Sequence, residues 1–350
     1  MKATPNRWAN VLRQTDGFTS NGFLGFFSRI VPLICVYEGD GHTILSMEES
    51  CGQSNSIWSF PGQGFVFSLL WDDASQVRNL LQEAQMVLGW DLQKCYRESQ
   101  RQRKKVIPQS QQVIQLALFV YGVGCARTLA ERGSSGPRCV MGLSVGEYAA
   151  LCCGGWISFQ EGLRLVRARA RYMEKECEAQ SGTMLYVRSP DMDLSLLPLP
   201  GGVWLANHYH KSSWVFAGDT ESLRTLNASL GERCFSGLHK LGSNRLRAKF
   251  LDVEGAFHSP LMGEAERQFR PWLSDAEFND CGIPLIVNGR PLTTKCEIKT
   301  WLMRQMTSPL NRWESLLCAK SLCADGHAFD EMRGRIHEVG LPSNKGSPLA

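Results

Sequence analysis

The chain has 350 residues, 43% of them hydrophobic and 21% charged, with a net charge of +4. That length can bury one large core or two modest ones, the composition excludes a disordered or collagenous chain, and so mild a charge gives no argument for nucleic acid. Thirteen scattered cysteines without a C-x-x-C pair exclude a disulfide framework or a zinc site as the organising principle, and they point to small core residues in a reducing, intracellular compartment.

The first 35 residues carry Lys2, Arg7, Arg13 and Arg29 against one acid, Asp16. That bias suits an organelle transit peptide and equally an ordinary N-terminal arm, so mitochondrion, plastid and cytoplasm all stay open. The most apolar early run, 22–37, is broken by Arg29 and Pro32 and is too short to span a membrane. Residues 57–64 read as a strand entering the turn Phe60-Pro61-Gly62-Gln63-Gly64. Apolar residues at Val77, Leu80, Leu81, Ala84, Val87 and Leu88 predict a helix over 72–96. The polar, basic run 96–105 is expected to be a solvated loop or helix face, and 113–130 a second, apolar helix.

Residues 138–141 read as a short buried strand, and Gly142-Leu143-Ser144-Val145-Gly146 follows at once. A Gly-x-Ser-x-Gly pentapeptide places its serine on a tight strand-to-helix turn. The helix-forming run 147–151 would put Ser144 at a helix N-terminus, where unpaired N–H groups favour the oxyanion of an acyl transfer. Ser158 and Glu161 form a capping-box pattern that opens a long helix to about residue 178. Beyond it the pattern shortens: 183–187, 203–207 and 214–217 read as strands, Asp219 or Thr220 caps a helix to 230, and 249–253 reads as a last strand. From 260 onward helix, strand (283–287) and helix (298–304, then 309–324) recur. The expected class is α/β: a large hydrolase-like domain with a parallel central sheet, from 56–180 and 255–345, interrupted by a small ferredoxin-like α+β insert at 181–254. Residues 1–55 stand apart as an N-terminal extension.

Ser144 needs a base. Among seven histidines, His258 in Gly255-Ala256-Phe257-His258-Ser259-Pro260 follows a predicted strand and is the best placed. Pattern alone leaves the pairing open, because a lone histidine is more often a satisfied core or surface residue. Arg164, Arg167 and Arg171 fall on one helix face, whereas Arg169 lies about 160° from Arg167, beside Val166 and Met173. An inward guanidinium needs a partner, either a structural carboxylate or the carboxylate of a ligand. The amide of Gln63 and the backbone N–H of Val145 are candidate oxyanion donors, each worth about 3–4 kcal/mol in a transition state.

Together these motifs resemble the malonyl-CoA:acyl-carrier-protein transacylase family and the acyltransferase domains of polyketide synthases. The matching stretches, in family order, are Phe60 to Gly64, Ser110-Gln111, Gly142 to Leu151, Arg169 with Met173, Ala206-Asn207 with Ala217-Gly218, Gly255 to Met262, and Pro284 to Asn288. They cover about residues 57–340. The resemblance implies that Ser144 attacks a malonyl thioester with His258 as general base, and that a carbonyl near Val287 or Asn288 orients His258. Gln63 and Val145 would form the oxyanion hole. Gln111, Leu143, Phe257 and Asn288 would line the substrate site, with Phe257 selecting malonyl over methylmalonyl. Arg169 would grip the free malonyl carboxylate. The coenzyme A thioester is then a substrate, no tightly bound cofactor or metal is implied, and the partner is an acyl carrier protein met by a monomer that needs neither nucleic acid nor membrane. Carrier proteins are acidic, so the acid-free stretch with Lys240, Arg245, Arg247 and Lys249 is a candidate contact.

This chain departs from the family at Leu143, where many members have histidine, at Phe65-Val66 after the Gln63 turn, and at Tyr209 to Ser213. Two other classes compete. An α/β-hydrolase esterase would need an acid between Ser144 and His258 in chain order, for which Asp191, Asp193 and Asp219 are available. A catalytically degenerate domain would bind carrier proteins without acylating.

Overall fold

The computed structural model describes residues 35–38, 41–42, 56–63, 75–102, 110–131, 136–190, 194, 197–235, 246–253, 255–280, 282–323 and 336–338. In chain order the first elements are β1 (Cys35–Glu38), β2 (Gly41–His42), β3 (Ile57–Phe60), α1 (Ser75–Leu88), α2 (Leu92–Gln102), α3 (Gln111–Glu131), β4 (Cys139–Gly142), α4 (Gly146–Cys153) and α5 (Phe159–Ala179). There follow β5 (Gly182–Arg188), β6 (Val203–His210), β7 (Ser213–Asp219), α6 (Thr220–Phe235), β8 (Arg247–Phe250) and α7 (Gly263–Ser274). The chain then forms β9 (Leu285–Val287), β10 (Arg290–Leu292), α8 (Lys295–Leu302), β11 (Leu310–Asn311), α9 (Arg312–Cys323) and β12 (Ile336–Glu338).

One sheet runs in the order β10-β9-β4-β3-β12-β1-β2. Its centre, β9-β4-β3-β12, is parallel, and its flanking pairs are antiparallel, so the sheet is mixed rather than wholly parallel. Strands β3 and β4 are buried apolar runs, as expected where helices cover a sheet on both faces. Helix α3 packs against α1, α4 and α5. It is apolar enough, by length and composition alone, to cross a membrane, and most of it is buried inside this fold. No apolar run of that length is expected from the sequence, because Gln111, Gln112 and Gln115 interrupt the run without ending the helix.

The second sheet has the order β11-β6-β7-β5-β8. Its alternation decides how it packs. Leu185, Val187, Trp214 and Phe216 face α6 and join Leu223, Leu226 and Leu230 in a core of their own. The alternate residues Met184, Tyr186, Val215 and Ala217 turn the other way and join the main core. Strand β11, from the C-terminal part of the chain, pairs in parallel with β6 and brings the segment before α9 onto this sheet.

Differences from the sequence-based expectations are local. The helix expected over 72–96 is broken at Gly89, whose φ of 78° only glycine adopts freely, and the polar run beyond it is helical as α2. The strand expected at 249–253 starts earlier, at Arg247, because it pairs with β5 from Arg188 backwards. Ser158 caps α5 as expected, its side chain accepting from the Glu161 N–H at 3.0 Å. Apart from β1 and β2, the N-terminal extension lies outside the described residues, as do Phe65 and Val66, Asp191 and Asp193, and Lys240 and Arg245.

Candidate active site

The site starts where β4 ends. A Cβ on Gly142 would sit 2.2 Å from the Glu147 nitrogen, and one on Gly146 would sit 2.4 Å from the Phe60 carbonyl oxygen. Both positions therefore demand glycine, which is why the pentapeptide has the form it has. The Leu143 N–H donates to the Phe60 carbonyl at 3.0 Å, so the turn is pinned to the neighbouring strand. Ser144 is left with φ of 56°, in the left-handed region that a non-glycine residue occupies at a cost on the order of 1–3 kcal/mol. Among the described residues only His258 (φ 59°) and Asn288 (φ 47°) share this feature. The first two belong to the site itself, and Asn288 carries the loop that closes it.

Ser144 Oγ lies 2.9 Å from His258 Nε2 and 2.8 Å from Arg169 Nη2. His258 Nδ1 lies 2.9 Å from the Gln305 carbonyl oxygen, an acceptor only, so the proton belongs on Nδ1. Nε2 then offers its lone pair to the serine hydroxyl, which accepts from Arg169 and donates to His258. Burial, and next the charge of Arg169, depress the His258 pKa from 6.5 to about 4. The imidazole is therefore neutral at pH 7, as a general base must be.

Arg169 is 1% exposed. Its Nε donates to Gln305 Oε1 at 3.3 Å and its Nη1 donates to Gln115 Oε1. Its guanidinium carbon lies 5.8 Å from the centre of the Tyr148 ring. Burial lowers its pKa, while Tyr148 and Glu147 act in the opposite direction. The bonded acceptors are thus neutral amides and a hydroxyl, and the positive charge remains available to an anion placed beside Ser144.

The other expected site residues divide. Val145 is buried at the N-cap of α4. The next N–H groups, of Gly146, Glu147 and Tyr148, turn back onto the carbonyls of Leu143, Ser144 and Val145. Gln63 ends the described stretch after β3, half-buried beside Gly62, whose α-carbon faces the Leu143 carbonyl. Leu143 and Phe257 pack on the core around the site. Gln111 is buried, and its Oε1 accepts from Gln115 Nε2 at 3.5 Å, so it touches the site through Gln115.

Two expectations need correction. The carbonyl that holds His258 comes from Gln305, not from Val287 or Asn288. The side chain of Asn288 instead bonds the Pro309 carbonyl at 3.1 Å and the Asn311 N–H at 2.7 Å, so it staples the loop carrying Gln305 rather than offering an amide to substrate. The reason is tertiary: after α8 the chain folds back over the elbow, and no local pattern announces that return.

Sequence reasoning missed three residues. Gln115 had a signal, since it stands one helical turn from Gln111 on an otherwise apolar helix. Glu147 was visible only as a polar residue after the pentapeptide; it is buried, and its Oε2 accepts from Trp301 Nε1 at 2.7 Å and Gln305 Nε2 at 2.6 Å. Gln305, wholly buried, had no signal at all.

Residues 74–288 match the family model described as an acyl transferase domain. The chain is 28% identical over 279 residues to the malonyl CoA-acyl carrier protein transacylase of Bacillus subtilis, covering 75% of this chain and 65% of that protein. It is 29% identical over 280 residues to the polyketide biosynthesis protein ThaF of Burkholderia thailandensis, covering 75% of this chain but 22% of the relative. The chain thus spans less than two thirds of the length of these relatives. Among solved structures, a type II PKS acyl-carrier protein in complex with its malonyl-transacylase aligns with a TM-score of 0.62 and 26% identity, covering 75% of this chain and 84% of that one.

Proposed function

Because the chain belongs to the acyl transferase domain family, we propose that it moves a malonyl group from coenzyme A to the phosphopantetheine thiol of an acyl carrier protein, for fatty-acid or polyketide synthesis. The observation that carries this reading is one hydroxyl, Ser144 Oγ, bonded both to a neutral imidazole and to a buried guanidinium. A base next to a nucleophile is common to acyl transferases and esterases. A buried cation without a bonded carboxylate, within one acyl length of the nucleophile, is useful only for an acyl group that carries a negative charge.

The chemistry runs as two half-reactions. His258 Nε2 takes the Ser144 proton as Oγ attacks the thioester carbonyl. The Gln305 carbonyl holds Nδ1–H and stabilises the imidazolium. The Val145 N–H, with Gln63 as second donor, receives the oxyanion. His258 returns its proton to the departing coenzyme A thiolate, leaving malonyl-Ser144. In the second half-reaction His258 takes the proton of the carrier's phosphopantetheine thiol, the thiol sulfur attacks the same carbonyl, the acyl–Oγ bond breaks, and His258 returns the proton to Ser144 Oγ. Through both steps Arg169 holds the free carboxylate, and the Phe257 ring leaves little room for an α-methyl branch.

In this reading the first sheet and its helices form a hydrolase-like domain from 56–180 and 255–345, and the second sheet, apart from β11, belongs to a ferredoxin-like insert over 181–254. The enzyme acts as a monomer. Arg247 and Lys249 on β8 are exposed, and Arg247 stands opposite Arg188 of β5. Like charges facing each other across strands are unfavourable without an anionic partner, which an acidic carrier protein supplies. An esterase is disfavoured, because the group bonded to His258 Nδ1 is a carbonyl and Asp219 is engaged in capping Ser222 at 2.8 Å.

Intact-mass measurement after incubation with malonyl-CoA, methylmalonyl-CoA and acetyl-CoA tests the assignment. One malonyl adduct on the wild type, none on Ser144→Ala, and slower methylmalonyl labelling are expected. A folded protein that takes no malonyl group would overturn the reading.

A further inference from the structure

Glu147 has no part in the chemistry described above, yet it lies at the root of the site. It is 2% exposed, stands on the first turn of α4, and accepts from Trp301 Nε1 and Gln305 Nε2. Gln305 in turn donates from the same Nε2 to the Ser144 carbonyl at 3.0 Å and accepts from Arg169 at Oε1, while its backbone oxygen holds His258. One glutamine thus touches the residues of nucleophile, base and cation.

A side-chain amide can face either way, and its partners decide which. A carboxylate only accepts, so Glu147 compels the NH2 group of Gln305 to face it and the amide oxygen to face Arg169. Reversal would set an NH2 group against the guanidinium and an oxygen against both the carboxylate and the Ser144 carbonyl. We propose that Glu147 is a positioning residue of this site: its carboxylate fixes the Gln305 amide, and through it the Arg169 guanidinium and the His258 imidazole are held on Ser144. The inference rests on the transferase reading for its substrate, but its geometry does not.

Burial pushes the Glu147 pKa up to about 7, against the hydrogen bonds of Trp301 and Gln305 and the charge of Arg169. Arg169 on α5 is the charged group that bears on it. Its own helix carries Tyr148, Cys152 and Cys153, and the elements packed against that helix carry among others Tyr121, Cys125 and Arg127 on α3, the last acting on Cys152 and Cys153, and Cys139 on β4. Strand β3 brings none, and Arg304 beside Gln305 is exposed and lies over the Trp301 ring. A loss of site order as pH falls through about 7 therefore belongs to Glu147 and not to His258, which titrates near 4.

The test uses Ser144 itself, without any assumption about the acyl group. An alkyl fluorophosphonate forms an Oγ–P bond with loss of fluoride while His258 takes the hydroxyl proton, so its labelling rate reports base and nucleophile alone. Expected for Glu147→Gln, near-isosteric and uncharged, is labelling about tenfold slower at pH 8 and loss of the acid limb near pH 7. The ratio of malonyl-CoA to acetyl-CoA turnover should fall about tenfold as Arg169 is released. Gln305→Met removes the amide but keeps the backbone carbonyl; it should reproduce these losses, and adding Glu147→Gln to it should cost nothing more. Wild-type labelling rate and an intact limb in Glu147→Gln, or losses that multiply in the double variant, would reduce Glu147 to a packing residue. A wild type that reacts with fluorophosphonate but not malonyl-CoA would sink the transferase reading, and the labelling rates would still decide this one.

Discussion

Two of the four arginines on helix α5 have opposite fates. On its outer side, Arg164 is forked onto Glu161 at 2.6 and 2.9 Å and lies over the Trp272 ring at 5.2 Å. On its inner side, five residues on, Arg169 meets Gln305, Gln115 and Ser144. The first is satisfied by a carboxylate and has no charge left to offer. The second is held in place by neutral acceptors, with Glu147 near but not bonded to it. An arginine that must bind a ligand carboxylate needs neighbours that orient it without neutralising it.

The largest expected effect separates the nucleophile from everything around it. Ser144→Ala should abolish the acyl adduct and lower turnover by about 10⁶-fold, the scale seen when a serine nucleophile is removed; single-turnover kinetics would measure it. Next comes the inner arginine. Arg169→Ala should weaken malonyl transfer on the order of 100-fold, since a charge-assisted bond contributes about 1.5–3 kcal/mol. Acetyl transfer should be far less affected. Equal losses for both acyl groups would make Arg169 a structural residue like its outer counterpart.

The same substitution sharpens the electrostatic side of the comparison. Arg169 is the second cause, after burial, of the depressed His258 pKa. Removing that cation favours the imidazolium, so the His258 pKa should rise from about 4 while staying below the ordinary 6.5. The acid limb governed by His258 would then move to higher pH, and imidazole NMR titration would show the shift directly. The smallest effect is expected on the outer side. Arg164→Ala breaks a partly exposed pair within one helix turn, worth roughly 0.3–0.5 kcal/mol, and should barely move the melting temperature or the rate.

Much of this division was legible from the chain alone. The 3.6-residue period set Arg169 apart from Arg164, and the two glycines around Ser144 announced a turn too tight for any side chain. Those features depend on neighbours within about one helical turn. The strands of the second sheet were legible for the same reason: β5 to β7 alternate between two cores, and alternation is local.

What the sequence could not determine is who completes each contact. His258 is oriented from Gln305, 47 residues away, and Gln305 also reaches Glu147 across 158 residues. Nothing local distinguishes Gln305, in the turn that follows α8, from a solvated loop residue, nor Glu147 from an ordinary first-turn acid. Sequence fixed the elements and the faces they bury, because backbone sterics and hydrophobic period act at short range. Tertiary structure alone decided the polar network, because which buried donor meets which acceptor depends on how chain ends far apart are brought together by the packing of α8 and the loop behind it.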